Sequence, residues 1–197
     1  MLDPPSPAER WRFRVLGQGD VAALQRFFAA NPEYFVSVDG EPPAADAAAH
    51  ELADVPPAGM PYREMLLLGV SDGDDPDGAL AAMATVVAGF ISEHVWHIGL
   101  FIVATALHGS GAAQAIHRAL ERWMVERGAQ WIRLGVVAGN ARAERFWERT
   151  GYVETRRRGP IEMGRKTNVL RVMVKPLAGG SIDEYLERVE RDRPSAP

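Results

Sequence analysis

The sequence predicts one domain of mixed class, α/β in content and α+β in arrangement. Three observations predict it. The length of 197 residues lies between one and two typical domains, and 47% hydrophobic content is ample for a single core. The first half carries strand patterns joined by tight turn signals, which favours antiparallel hairpins. The second half alternates strand and helix patterns, which adds a helical layer to the sheet.

Element by element, the Pro-rich start, MLDPPSPAER, reads as a flexible N-terminus over residues 1–10. Arg12–Leu16 reads as a short strand. Asp20 is placed to cap a helix in which Val21, Leu24, Phe27 and Phe28 share one face. Asn31-Pro32 ends it. The Pro- and Ala-rich segment 41–61 holds a short helix around Ala44–Ala53 and reads as a mobile lid; the stretch 41–64 is expected to shape a pocket. Met65–Val70 and Ala79–Phe90 are strands joined by DGDDPDG (72–78), a hairpin tip. That acidic turn lacks the glutamate at the twelfth loop position of a calcium loop. A third strand runs over about Val95–Ala104.

A Gly-rich loop, HGSGAA (108–113), then opens a helix lined by Ala112, Ile116, Ala119, Leu120, Trp123 and Arg127, with Gly128 ending it. Trp131–Ala138 is the next strand. Asn140 opens a short helix carrying Ala143, Phe146 and Trp147, closed by Gly151. Tyr152–Arg156 and Val169–Val174 are further strands, with a polar connection between them. The tail, 178–197, holds a capping box, Ser181-x-x-Glu184, ahead of Ile182, Tyr185, Leu186 and Val189. Glu184–Arg188 and Glu187–Arg191 are spaced as helical ion pairs. This amphipathic stripe must be buried, either on the chain's own core or in a homodimer through the C-terminal helix.

Composition narrows the function. Twenty-two Lys+Arg against 26 Asp+Glu give a net charge of −4, which argues against a generally basic nucleic-acid binder. Zero Cys removes disulfide scaffolds, thiol nucleophiles and thiolate zinc sites, and no metal site is expected. Only Lys166 and Lys175 are lysines, so a catalytic lysine is nearly excluded by count. No segment approaches the roughly 18 apolar residues of a membrane span. No secretory signal opens the chain, so the expected compartment is the cytoplasm.

The chemistry concentrates in residues 95–152. A strand running into a Gly-rich turn and a helix start makes an anion site. The helix N-terminus offers unpaired N–H groups and partial positive charge, and glycine lets an oxygen approach them. The loop lacks the Gly-Lys-Ser/Thr of a phosphate-binding NTPase. Position 114 is Gln where a dinucleotide fingerprint has its third glycine.

With the next unit, WIRLGVVAGN followed by ARAERFWERTGY, the pattern resembles the GNAT N-acetyltransferase superfamily. The resemblance covers about Arg12–Leu177, so 11–177 is taken as the domain. The family's loop is Gln/Arg-x-x-Gly-x-Gly/Ala; here it reads His108-x-x-Gly111-x-Ala113. Its downstream motif, Asn-x-x-Ala-x-x-x-Tyr then Gly-Phe, reads Asn140-x-x-Ala143-x-x-x-Trp147 and Gly151-Tyr152.

The resemblance implies a mostly antiparallel sheet flanked by helices, with splayed central strands. It also implies transfer of an acetyl group from acetyl-CoA to an amine. The amides of Gly109, Ser110, Gly111, Ala112 and Ala113, with His108, would hold the pyrophosphate. Phe101, Ile102 and Val103 would pair with the pantetheine arm as an added strand. Asn140, Ala143, Phe146 and Trp147 would face that arm. Two departures stand out. His108 replaces Gln or Arg. Trp147 occupies the position of the usual general-acid tyrosine, and indole does not protonate a thiolate. A non-catalytic acyl-CoA-binding or regulatory module on the same fold is therefore the alternative.

Direct transfer needs a neutral amine, and deprotonating an ordinary alkylammonium at pH 7 costs about 4–5 kcal/mol. Candidate bases are His97 and Glu93, with His94 beside them. Strand alternation puts His97 on one face with Phe101 and Val103. Tyr34 and Phe35 are candidates for an acceptor pocket that takes a small-molecule or peptide amine. Arg156-Arg157-Arg158 fits a CoA 3′-phosphate, an acidic acceptor, nucleic acid or a solvated strand end.

Overall fold

The computed structural model describes residues 2–8, 10–73, 78–177 and 179–196. Its sheet runs β1 (Trp11–Val15), β2 (Glu64–Asp72), β3 (Leu80–Ala88), β4 (Val95–Val103), β5 (Trp131–Val137), β7 (Lys166–Pro176) and β6 (Val153–Met163) in spatial order. Every neighbouring pair is antiparallel except β4–β5. Residues 74–77 of the expected hairpin tip lie outside the described residues, while β2 and β3 on either side pair antiparallel.

Helices cover both faces. On one, α4 (Ala112–Glu126) and α5 (Ala141–Arg149) pack against Leu68, Ala84, Trp96, Ile98, Ile132 and Leu134. On the other, α1 (Val21–Ala30), α2 (Glu33–Val38) and α3 (Ala47–Ala53) cover the β1–β4 half through Leu24, Phe28, Phe35 and Ala48. Over the β5–β7 half of that face lies α6 (Ile182–Arg188). The central strands β2 and β3 are therefore buried on both faces and are nearly continuous apolar runs, whereas β6 is largely exposed.

Several expectations change in detail. Asp20 does not cap α1; its carboxylate accepts from Gly17 N at 2.9 Å and pairs with Arg14 at 2.7 Å, closing the turn before the helix. Asn31-Pro32 does end α1, but Pro32 is also the N-cap of α2, a helix start that proline tolerates. The strands β6 and β7 extend into one long hairpin across the stretch read as a connection. Its ladder shifts register between Arg158 and Ile161, where Pro160 has no N–H to give. The N-terminal segment has its own contacts: the Leu2 amide donates to Glu64, and the Trp123 indole donates to Asp3 O at 2.9 Å.

The tail's capping box forms, with Glu184 N donating to Ser181 Oγ and Ser181 N donating to Glu184. The two helical ion pairs expected from spacing are not seen. Arg188 instead lies over the Trp131 ring, 5.6 Å from its centroid. The stripe of α6 is buried in the chain itself: Tyr185 and Val189 pack on Val95, Trp131 and Val174. Of the two alternatives for that stripe, burial on the chain's own core is the one seen, with Ile182 and Leu186 half-buried beside it. Among the described residues, no helix is long and apolar enough to cross a membrane.

Candidate active site

The pairing of β4 with β5 stops early. The strands run in parallel register from Val95–Trp131 to Ile98–Leu134 and no further. Residues 99–103 and 135–137 splay apart, which leaves a wedge in the middle of the sheet with unpaired backbone along both sides.

A cleft of about 770 Å³ opens from this wedge toward the start of α4. Phe101, Ile102, Val103, His108, Gly109, Gly111, Ala113, Asn140, Ala143, Phe146 and Trp147 all line it; Ser110 and Ala112 do not. Gly109 and Gly111 have φ of 82° and 88°, a left-handed backbone that a side chain would strain. A Cβ at either position would project into open space, so the loop is a bare cradle. Among the described residues, the N–H groups of Gly109, Gly111, Ala113 and Gln114 find no acceptor, whereas Ser110 N donates to Leu107 O and Ala112 N to Ser110 Oγ. Four unclaimed donors at the N-terminus of a fifteen-residue helix suit an anion with several oxygens.

His108 fits this cleft differently from a cationic residue. Its Nε2 donates to Val103 O at 3.0 Å, and its Nδ1 is buried without a partner. Burial and nearby Arg142 push its pKa down, so it enters as a neutral acceptor. Positive charge comes instead from Arg142 and Arg149, which also line the cleft. Asn140 caps α5, its Oδ1 accepting from Ala143 N at 3.2 Å.

Trp147 is held in an aromatic cage. Its ring lies 5.7 Å from Phe101, 5.4 Å from His117 and 5.1 Å from Tyr152. His117 Nε2 and Tyr152 Oη are hydrogen-bonded at 3.0 Å beneath it. Tyr152 is buried and its pKa pushed well up, so it is a packing residue.

A second cavity of about 260 Å³ opens through the wedge to the opposite face, toward α2 and the β6–β7 hairpin. The two share Tyr34, Phe101, Asn140, Ala143 and Trp147. Tyr34 therefore stands where they meet. Its hydroxyl has no hydrogen bond among the described residues, and burial, with Glu51 and Asp39 nearby, raises its pKa. Phe35 does not line either cavity; it packs in the core, with its ring 5.0 Å from Phe28.

His97 lines the second cavity, though not by the alternation expected. The β3–β4 register shifts so that Thr85 faces Leu100 while Val86 faces Ile98, leaving Gly99 as the extra residue of a bulge. The bulge reverses the faces. Phe101 and Val103 pack toward α4, whereas His97 shares its face with Leu100 and Ile102. Its Nδ1 is 3.0 Å from Arg133 O and its ring stacks on Phe90 at 4.7 Å. Burial, then the charge of Arg133, pushes its pKa down to about 3. Glu93 is exposed in the β3–β4 turn and lines neither cavity, so it has no route to a reacting atom.

Arg133 and Glu51 carry no signal in the sequence, and of the marked arginine cluster only Arg158 reaches a cavity. Arg133 lines the second cavity and is held by Asp192 of the tail, with Nε–Oδ2 at 2.6 Å and Nη2–Oδ1 at 3.2 Å. Arg158 lines the same cavity. Glu51 of α3, half-buried, accepts from Thr85 Oγ1 at 2.5 Å beside the bulge, and burial raises its pKa. The bare loop, the wedge and the Asn140 cap now stand in one cleft.

The model of the Acetyltransferase (GNAT) family matches residues 25–152. The chain belongs to the GNAT acetyltransferase family. Solved structures agree in fold. An acetyltransferase from Thermus thermophilus superposes with a TM-score of 0.66 at 18% identity, covering 87% of this chain and 100% of its own. The ribosomal-protein-S18-alanine N-acetyltransferase from Escherichia coli gives 0.61 at 16%, covering 88% and 97%. A GCN5-related N-acetyltransferase from Kribbella flavida gives 0.59 at 22%, covering 85% and 98%. No curated protein sequence matches the chain. The seven-stranded, mostly antiparallel sheet with its helices is thus the GNAT fold, as the motifs implied.

Proposed function

We propose that the protein transfers the acetyl group of acetyl-CoA directly to an amine, with both substrates bound together. The observation that carries this reading is the set of four unclaimed N–H groups on the bare loop, set beside the β4–β5 wedge. The loop and Arg142 suit the pyrophosphate, the splayed edge of β4 suits the pantetheine amides, and the second cavity suits the acceptor. The unit 11–177 holds all of these, with 178–197 as its tail.

In the transfer, the amine nitrogen attacks the thioester carbon, the C–S bond breaks, and the amine's proton passes to solvent while the thiolate takes one up. The half-open wedge holds the reactants in contact, the main source of acceleration for such a reaction. A histidine with a pKa near 3 is a poor base for an ammonium group. His97 therefore serves through its free Nε2 as a hydrogen-bond acceptor for an amine that has lost its proton to water. Tyr34 supplies the hydroxyl that Trp147 lacks, donating a hydrogen bond to the departing sulfur.

The second reading, an acyl-CoA-binding module without catalysis, rests on caged Trp147. Thiol release from acetyl-CoA across an amine panel separates the two. Release that depends on an amine supports transfer. Thermal stabilisation by acetyl-CoA with no release from any amine supports the binding module, and no stabilisation at millimolar acetyl-CoA contradicts both.

A further inference from the structure

The run Arg156-Arg157-Arg158 is divided by the strand. Arg157 points to the α5 face and pairs with Glu154 at 2.8 Å. Arg156 and Arg158 lie on the other face, opposite Val172 and Leu170, which line the second cavity. Arg156 is committed there, its Nη1 donating to Arg191 O at 2.5 Å. Arg158 is half-buried, lines the cavity, and has no hydrogen bond or ion pair among the described residues.

The surroundings make that isolation costly. Burial, then the charges of Arg191 and Arg133, push the pKa of Arg158 down; Asp192 opposes and Arg156 adds to the lowering. Asp192 is already spent, since its carboxylate holds Arg133 and accepts from Tyr185 Oη at 2.6 Å. Two guanidinium groups, Arg133 and Arg158, thus line a cavity that among the described residues neither Asp nor Glu lines, and Arg191 and Arg156 add to the positive field. A half-buried guanidinium in such a field calls for an anion with paired oxygens.

We propose that the second cavity takes a small acceptor that carries a carboxylate as well as its amine, an amino acid or close relative, and that Arg158 binds the carboxylate. This rests on the acetyltransferase reading of that cavity. The CoA phosphates are the wrong partner, because Arg158 does not line the cleft that holds the bare loop. A nucleic acid is too large for about 260 Å³. A polyamine or a lysine-rich peptide would add positive charge to a cavity already lined by Arg133 and Arg158. With an amino acid, the carboxylate answers Arg158 and the amine is left to reach through the wedge toward Phe101 and Tyr34.

The test measures thiol release from acetyl-CoA by the full chain with the twenty L-amino acids, their methyl esters and spermidine. At least one free amino acid should exceed its ester in kcat/KM by tenfold or more. Arg158→Gln should lower that kcat/KM on the order of 100-fold, mainly through KM, and erase the preference over the ester. Arg158→Lys should restore part of it. Calorimetric affinity for acetyl-CoA should stay within twofold in both variants, which also shows that they fold. Esters or spermidine outperforming every amino acid would overturn the proposal, as would an unchanged preference in Arg158→Gln or a loss of acetyl-CoA affinity there. If no amine is acetylated, the acetyltransferase reading fails separately. Thermal shifts with the amino acids then decide: stabilisation removed by Arg158→Gln supports the anion site, and its absence overturns it.

Discussion

Arg171 and Arg158 leave the same hairpin toward opposite faces of the sheet. Arg171 meets three carboxylates, Glu144 at 3.2 Å, Glu148 at 2.9 Å and Glu154 at 2.5 Å, and its pKa is raised. Arg158 meets none, and its pKa is lowered by burial and by other arginines. The first cation ties β7 and β6 to α5 behind the cleft that holds the bare loop. The second faces the smaller cavity beyond the wedge. A saturated charge is a structural fastening, and an unsaturated one in a cavity is left with charge to offer a ligand. The same contrast separates the loop amides, unclaimed at Gly109 and Gly111, from the closed ladder around them.

The largest effect should come from breaking the fastening on the acceptor face. Asp192→Asn leaves Arg133 buried without a counter-charge and should cost about 3–5 kcal/mol in urea unfolding. A loss below about 1 kcal/mol would mean that the tail is not clamped through this pair.

Acid should act next, on the cofactor face. Burial, with Lys175 nearby, holds His117 down at a pKa of about 4, against about 6.5 when unfolded. Between those values the unfolded chain binds a proton that the native chain refuses. Stability should therefore fall as pH drops from 6.5 to about 4, by up to about 3 kcal/mol. His97 adds to the loss in the same direction. In His117→Gln, denaturant titrations across this range should show a flatter profile.

Tyr34→Phe removes only the hydroxyl at the junction of the cavities. A fall in kcat of about tenfold, with acetyl-CoA affinity retained, is expected. An unchanged kcat would return Tyr34 to a packing role. The smallest effect should be Glu148→Gln, under about 1 kcal/mol, because Arg171 keeps two carboxylates and Glu148 is half-exposed.

Much of this was legible in the sequence because it is local. The loop glycines, the Asn140 cap, the Ser181 capping box and the order of strands follow from residues a few positions apart. The rest depends on distant partners. Three consecutive arginines look alike until Arg171 and α5 claim Arg157's face and leave Arg158. One extra residue at Gly99 moves His97 to the other side of β4, and alternation alone does not reveal a bulge. The buried pair Arg133–Asp192 joins residues 59 apart, and neither shows in its own neighbourhood that it is half of a pair. Glu93 is close in sequence to β4, but the turn carries it into solvent.

The claim on which the rest depends is that the bare loop binds the cofactor's phosphates through backbone. Calorimetric titration of acetyl-CoA into the wild-type chain and Gly111→Val tests it. At Gly111, φ of 88° strains any side chain, so a valine would distort the backbone that presents the unclaimed N–H groups. One saturable site is expected in the wild type and an affinity at least tenfold weaker in the variant, with circular dichroism unchanged. No binding to the wild type, or equal binding to both, would contradict it.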